Sequence, residues 1–176
     1  MTQHSLHDAA PTTLRVTYME IREAPVPTPA RAGRERIARE RMTRATYLDL
    51  YGRVGGPVRW DRRLLMPATE LEALLACECL DIYVLRDEQG HAVGFCEFDR
   101  REFPDIELKH FGLITDAQGR GLGSWLLSTA LVAEWKYGPS RIWLHTDTWD
   151  HPAAVRVYEL AGFYVFAVRD EAVASL

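Results

Sequence analysis

Cysteine is scarce in this chain, lysine is nearly missing, and no long apolar run occurs. The three cysteines, Cys77, Cys79 and Cys96, are odd in number and miss the paired C-x-x-C spacing of a zinc site. No basic-then-apolar leader opens the sequence. These absences argue against a disulfide scaffold and point to a reducing, cytoplasmic setting. A membrane span takes about 18 apolar residues, and the longest candidate, around 122–133, is broken by Ser124, Ser128 and Thr129. Membrane insertion is therefore not expected. Excess positive charge is also lacking: the net charge is −4. Nucleic acid is thus not the expected partner, since phosphate binding rests on clustered cations.

What is present fits one domain. The 176 residues are 47% hydrophobic and 26% charged, and a chain of this size buries about 70% of its unfolded surface without a metal or disulfide. Residues 1–12 are polar and aperiodic, so a flexible N-terminus is expected, followed by a single domain over 13–176. Between Arg31 and Arg44 six arginines stand against Glu35 and Glu40. They read as a solvated helix face laced with i,i+4 pairs such as Glu35–Arg39 and Glu40–Arg44, or else as an anion-attracting rim.

Alternation of Leu14, Val16 and Tyr18 predicts a strand over 13–22, and the proline-rich 24–33 a stiff linker. Ile37, Ala38, Met42, Ala45, Tyr47, Leu48 and Tyr51 recur at helical steps until Gly52, Gly55, Gly56 and Pro57, which are expected to stop the helix. A short helix follows from Pro67. Strands are predicted at 82–85, 92–98 and 106–114, then a helix over 122–136, a strand over 142–146, a helix over 153–160 and a strand over 163–168. The fold class is α/β, a mixed sheet with helices on its faces.

The informative stretch is GLITDAQGRGLGSWLL, residues 112–127. A strand runs into Gln118, Gly119, Arg120, Gly121, Leu122 and Gly123, and a helix begins at once. Such a turn can aim backbone N–H groups and a helix dipole at a phosphate, or can be a plain tight turn. It lacks the Gly-Lys of a P-loop, and Ser124 stands where a Rossmann fingerprint has glycine.

Q-G-R-G-L-G is similar to the pyrophosphate loop Q/R-x-x-G-x-G/A of the GCN5-related N-acetyltransferase family. In HPAAVRVYELAGF, residues 151–163, Ala154, Tyr158, Gly162 and Phe163 fall on that family's N-x-x-A-x-x-x-Y-x-x-x-G-F/Y pattern. The resemblance covers about 80–170. It is closest to a bacterial subgroup with F-G-L before the loop and H-P-A-A before the second motif.

The resemblance implies a largely antiparallel sheet, with helices on both faces, splayed between two parallel strands ending near Ile114 and Thr146. It implies acetyl-CoA as cofactor, lying in that gap against Phe111, Gly112, Leu113 and Ile114. Gln118, Gly119, Arg120, Gly121, Leu122, Gly123 and Ser124 would hold the pyrophosphate, with Arg120 on a phosphate or pointing to solvent. His151 stands where the family often has asparagine, and with Ala154 belongs to the cofactor set. Gly112 inside a strand marks a bulge, a close backbone approach or a packing notch.

Acyl transfer to an amine needs a base for the ammonium and an acid for the departing thiolate. The resemblance makes Tyr158 the acid. Glu107, fourteen residues before Gly121, sits where the histone-acetylating branch carries its base. Asp99, Glu97, His110 and His145 are rivals, and many members use no single base. Strand alternation puts Glu107 beside Lys109 and Phe111 and opposite Leu108 and His110; if that side is not the cleft, Glu107 is a surface residue paired with Lys109. Tyr47, Tyr51, Trp60 and Trp149 either line the acceptor pocket or pack in the core. Arg59, Arg62 and Arg63 are expected at the surface or on a substrate carboxylate. His145, Asp147 and His151 match no metal-ligand spacing, and no metal is expected. The expected activity is acetyl transfer to a small-molecule primary amine by direct attack in a ternary complex, with a homodimer as the assembly to test. A CoA-binding regulatory module and a protein or peptide amine as acceptor are the alternatives.

Overall fold

The computed structural model describes residues 13–27, 29 and 33–172, so the N-terminal 1–12 and Arg31 lie outside the described residues. Its elements run β1 (Thr13–Ile21), β2 (Arg36–Arg39), α1 (Arg44–Gly55), α2 (Arg62–Leu65), α3 (Ala68–Ala76), β3 (Leu80–Arg86), β4 (Ala92–Asp99), β5 (Asp105–Leu113), α4 (Leu122–Trp135), β6 (Arg141–Asp147), α5 (Ala154–Leu160) and β7 (Tyr164–Ala172). The strands form one sheet in the order β2-β3-β4-β5-β6-β1-β7. Every neighbouring pair is antiparallel except β5 and β6.

The parallel pairing of β5 and β6 is short. It runs from Asp105 opposite Arg141 to Glu107 opposite Trp143 and then stops. Beyond it the two strands diverge, so the sheet is splayed between them, as the family resemblance implied.

One face of the sheet carries α4 and α5. Leu122, Leu126, Leu127, Ala130 and Leu131 of α4 pack there against Ile106, Leu108, Ile142 and Leu144. The other face carries α1 and α3, whose Tyr47, Leu50, Tyr51, Leu71 and Leu75 pack on Ile82, Val84 and Phe95. Each fully buried aliphatic side chain of these layers contributes roughly 1.5–3 kcal/mol by leaving water.

The arginine-rich segment is corrected by the structure. Arg36–Arg39 is not helical but a strand, β2, which pairs Ile37 with Leu85 and so covers the free edge of β3. Its charges reach other elements instead of i,i+4 partners: Arg39 meets Asp81 at 3.1 Å and Arg44 meets Glu72 at 3.0 Å. Glu40 takes Arg86 at 2.7 Å, and Glu35 takes Arg120 at 3.4 Å. The helix starts only after Thr43, whose hydroxyl accepts from the Thr46 N–H at 3.3 Å. It then runs through Gly52 to Gly55, past the first glycine expected to end it. The reading against disulfides is also corrected, because Cys77 and Cys79 are joined while Cys96 is free and buried. No helix among the described residues is long and apolar enough to cross a membrane.

Candidate active site

Two cavities meet where β5 and β6 part. The first, of about 250 Å³, lies between the end of β5, the turn before α4 and the start of α5. Gly119 and Gly121 both adopt φ of +71°, a left-handed backbone that residues with a Cβ rarely enter. Gly121 is the N-cap of α4, so the unpaired N–H groups of the first helical turn open toward this cleft. Gln118 steadies the turn by donating its side-chain amide to the Leu113 carbonyl at 3.1 Å.

Of the expected cofactor residues, Phe111, Gly112, Leu113, Gln118, Gly119, Gly121, Gly123, Ser124, His151 and Ala154 line this cleft. Three do not. Ile114 faces a separate hollow together with Leu122, whose side chain is buried. Arg120 lines that hollow too and meets Glu35 at 3.4 Å. Their backbones still belong to the turn, but their side chains point away from the cleft. The His151 Nδ1 accepts the Ala153 N–H at 3.1 Å, which holds the ring at the start of α5. Gly112 is a packing notch: a Cβ there would come within 2.5 Å of the Val54 Cγ1.

The bulge of β5 lies instead at Lys109. Glu97 of β4 pairs with His110 and Phe98 with Leu108, leaving Lys109 as the extra residue. The extra residue reverses the alternation. Ile106 and Leu108 before it and Phe111 and Leu113 after it all face the α4 layer. Glu107 and His110 consequently share the opposite face, which corrects the expectation that Glu107 sits with Phe111 and away from His110.

On that face lies the second cavity, of about 650 Å³, lined by Tyr51, Trp60, Arg62, Arg63, His110, His145, Trp149 and Tyr158 among others. Three of the four expected acceptor aromatics, Tyr51, Trp60 and Trp149, are in this wall. Tyr47 is not: it is buried in the core and donates its hydroxyl to Glu97. Arg63 is not at the surface either. It is 5% exposed and bonds the same carboxylate. Arg59 lies over the Trp149 ring, 5.7 Å from its centroid.

Two carboxylate–imidazole pairs back this cavity. Glu97, wholly buried, places Oε1 3.4 Å from the His110 Nδ1. Burial pushes its carboxyl up, but His110, Arg63 and the Tyr47 hydroxyl outweigh burial and bring it down to about 2. Glu107 bonds Lys109 at 2.9 Å and places Oε1 3.5 Å from the His145 Nδ1. Burial pushes its carboxyl up as well, yet His145 and Lys109 hold it below the usual range. Glu107 is half-buried and is absent from the wall of the cavity, whereas His145 is in it. Asp99, another rival, is occupied by Arg101 at 2.5 Å.

Five residues, Val58, Trp60, Phe111, Asp150 and Tyr158, belong to both cavities. The Tyr158 ring lies 5.8 Å from Phe111 and 6.0 Å from Phe163, and burial pushes its phenol above the ordinary range. It is therefore a protonated donor at neutral pH. Among the described residues no group of three His, Cys, Asp or Glu side chains could hold a metal ion.

The chain resembles several solved structures at low identity. A GCN5-related N-acetyltransferase from Sphaerobacter thermophilus matches with a TM-score of 0.64 at 20% identity, covering 92% of this chain and 52% of that one. The ribosomal-protein-S18-alanine N-acetyltransferase of Escherichia coli matches with a TM-score of 0.60 at 20% identity, covering 77% and 81%. An aminoglycoside acetyltransferase from an uncultured soil metagenomic sample gives 0.60 at 16%, covering 73% and 87%. The chain thus spans about half the length of the Sphaerobacter structure, and these likenesses show the fold. No curated protein matches the sequence. The model of the acetyltransferase (GNAT) family matches residues 47–163, which include the whole glycine turn, Tyr158 and both cavity walls around Trp60, and the chain belongs to that family.

Proposed function

We propose that the protein transfers an acetyl group from acetyl-CoA to the primary amine of a small molecule, by direct attack while both are bound. The observation that carries this reading is the shared wall: Tyr158, a buried and protonated phenol, stands between a glycine-lined cleft and a second, aromatic-walled cavity.

The first cleft suits the donor. Its N–H groups at the α4 start offer a pyrophosphate site without a lysine, and Phe111, Leu113, Ala154 and Val157 offer apolar walls for a pantetheine arm. When bound, acetyl-CoA supplies a thioester whose acyl carbon accepts the amine and whose sulfur leaves. Tyr158 gives that sulfur a proton, and its raised pKa keeps the proton available across the neutral range. Glu107 steadies the His145 imidazole on the acceptor side. The size of the second cavity, about 650 Å³, suits a small amine.

The test is incubation of the pure protein with acetyl-CoA and a panel of primary amines, including a short peptide with a free N-terminus, while free thiol is followed. Thiol release with small amines supports the reading. Release with the peptide alone moves the acceptor to a protein amine. CoA binding without release from any amine makes the protein a CoA-binding module, and absence of both overturns the proposal.

A further inference from the structure

Resting on that transferase reading, we propose that His110 takes the proton from the acceptor's ammonium and that Glu97 is its positioning residue. The place of His110 is the first reason. The donor carbon and the acceptor nitrogen must meet beside the residues common to both cavities, and His110 packs directly on one of these, Trp60, with ring centroids 5.1 Å apart. It also directly precedes Phe111, whose ring contacts Tyr158. The ring neighbours of His145 are Tyr18 and Trp143, neither of which belongs to the shared wall.

The second reason is which nitrogen carries the lone pair on the cavity side. The buried Nδ1 has no aligned hydrogen bond, and its nearest carboxylate oxygen is that of Glu97 at 3.4 Å. A proton on Nδ1 facing that oxygen leaves the lone pair on Nε2, which accepts only a long hydrogen bond, 3.4 Å, from the Tyr51 hydroxyl on the cavity side, one that an incoming ammonium replaces. Glu97 stays ionised because Arg63 and Tyr47 also bond it, so it can balance an imidazolium.

The third reason is the bulge. Lys109, by reversing the alternation of β5, turns His110 to the acceptor side while Phe111 stays on the other. Bulges commonly re-aim side chains beside active sites. The charged and titratable groups around His110 are Tyr47 and Tyr51 from α1, Arg63 from α2, Glu97 from β4 and Asp150 bonded to Trp60. Lys109, its neighbour in sequence, is already paired with Glu107.

In the step itself, one N–H bond of the ammonium breaks and its proton goes to the His110 Nε2. The electron pair remains on nitrogen for attack on the acyl carbon. The imidazolium then loses its proton to water at the cavity mouth.

The experiment compares wild type with H110Q, H145Q, E107Q and E97Q, using acetyl-CoA and the best amine of the panel, with kcat, KM and acetyl-CoA affinity measured from pH 6 to 10. H110Q is expected to lose about 100-fold or more in kcat, within the usual worth of a positioned base. Its acetyl-CoA affinity should stay at the wild-type value, which also reports that the variant folds. Its residual rate should climb steadily toward the ammonium pKa of about 10.4, because solution must then deprotonate the amine. E97Q should lower kcat less and shift the pH at which the wild-type rate levels off. Wild-type turnover that survives H110Q, or that is lost in H145Q or E107Q while H110Q retains it, overturns the inference alone. No turnover by the wild type overturns the transferase reading and this inference with it.

Discussion

The Trp60 indole donates to the Asp150 carboxylate at 3.3 Å, joining two loops ninety positions apart across the boundary of the two cavities. Asp150 is itself braced by the Thr146 hydroxyl at 2.6 Å. Replacing Trp60 with Phe keeps a ring against Tyr51 and His110 but deletes the bond. A hydrogen bond to a charged carboxylate is worth about 1.5–3 kcal/mol. The expected result is a KM for the amine raised about tenfold or more, read from steady-state kinetics.

Tyr158 touches both cavities, and its burial keeps the phenol protonated. The Tyr158→Phe variant preserves the contacts with Phe111 and Phe163 and removes only the donor. Turnover should fall about 100-fold, while the Kd for CoA by calorimetry changes less than twofold. Equal losses in both would assign the residue to packing.

At Gly119 the backbone is left-handed, but nothing lies within 4 Å of the place a Cβ would take. Gly119→Ala therefore introduces strain without a clash, at a cost of roughly 1–2 kcal/mol. Relief of that strain would turn N–H groups away from the cleft. CoA affinity should drop about tenfold with kcat at saturation nearly unchanged, measured by titration and by initial rates.

The carboxyl of Glu97 lies at about 2 in the folded protein against an ordinary 4.5. A group depressed in this way adds stability that is complete above pH 4.5 and is lost as pH falls through 2. The difference corresponds to about 3 kcal/mol. Urea unfolding at pH 5, 4, 3 and 2.5 should show wild type losing stability over this window and E97Q losing less. At neutral pH the variant should be the less stable of the two, because Arg63 then keeps a buried charge without its ion partner.

Much of the glycine-lined cleft was legible in the sequence. Its N–H donors come from consecutive residues between Gln118 and Ser124, and a strand–turn–helix of such local character is written in the chain order itself. Tyr158 was legible for a similar reason, lying on one short helix at a fixed distance from Gly162 and Phe163. The segment Arg36–Arg39 was not, because its apolar residues fit a helical period equally well. Its strand exists only because the edge of β3 offers backbone partners.

By itself, then, the sequence determined the glycine turn before α4, the α/β character and the family pattern, since each depends on neighbours along the chain. The second cavity was decided by tertiary structure. Whether Glu107 faces Phe111 or His110 turns on one extra residue, Lys109, opposite Glu97 and Phe98, and a bulge is set by the pairing of two strands rather than by the composition of either. The same pairing brings Glu97 beneath His110, and α1 and α2 then supply Tyr47 and Arg63 to hold it ionised.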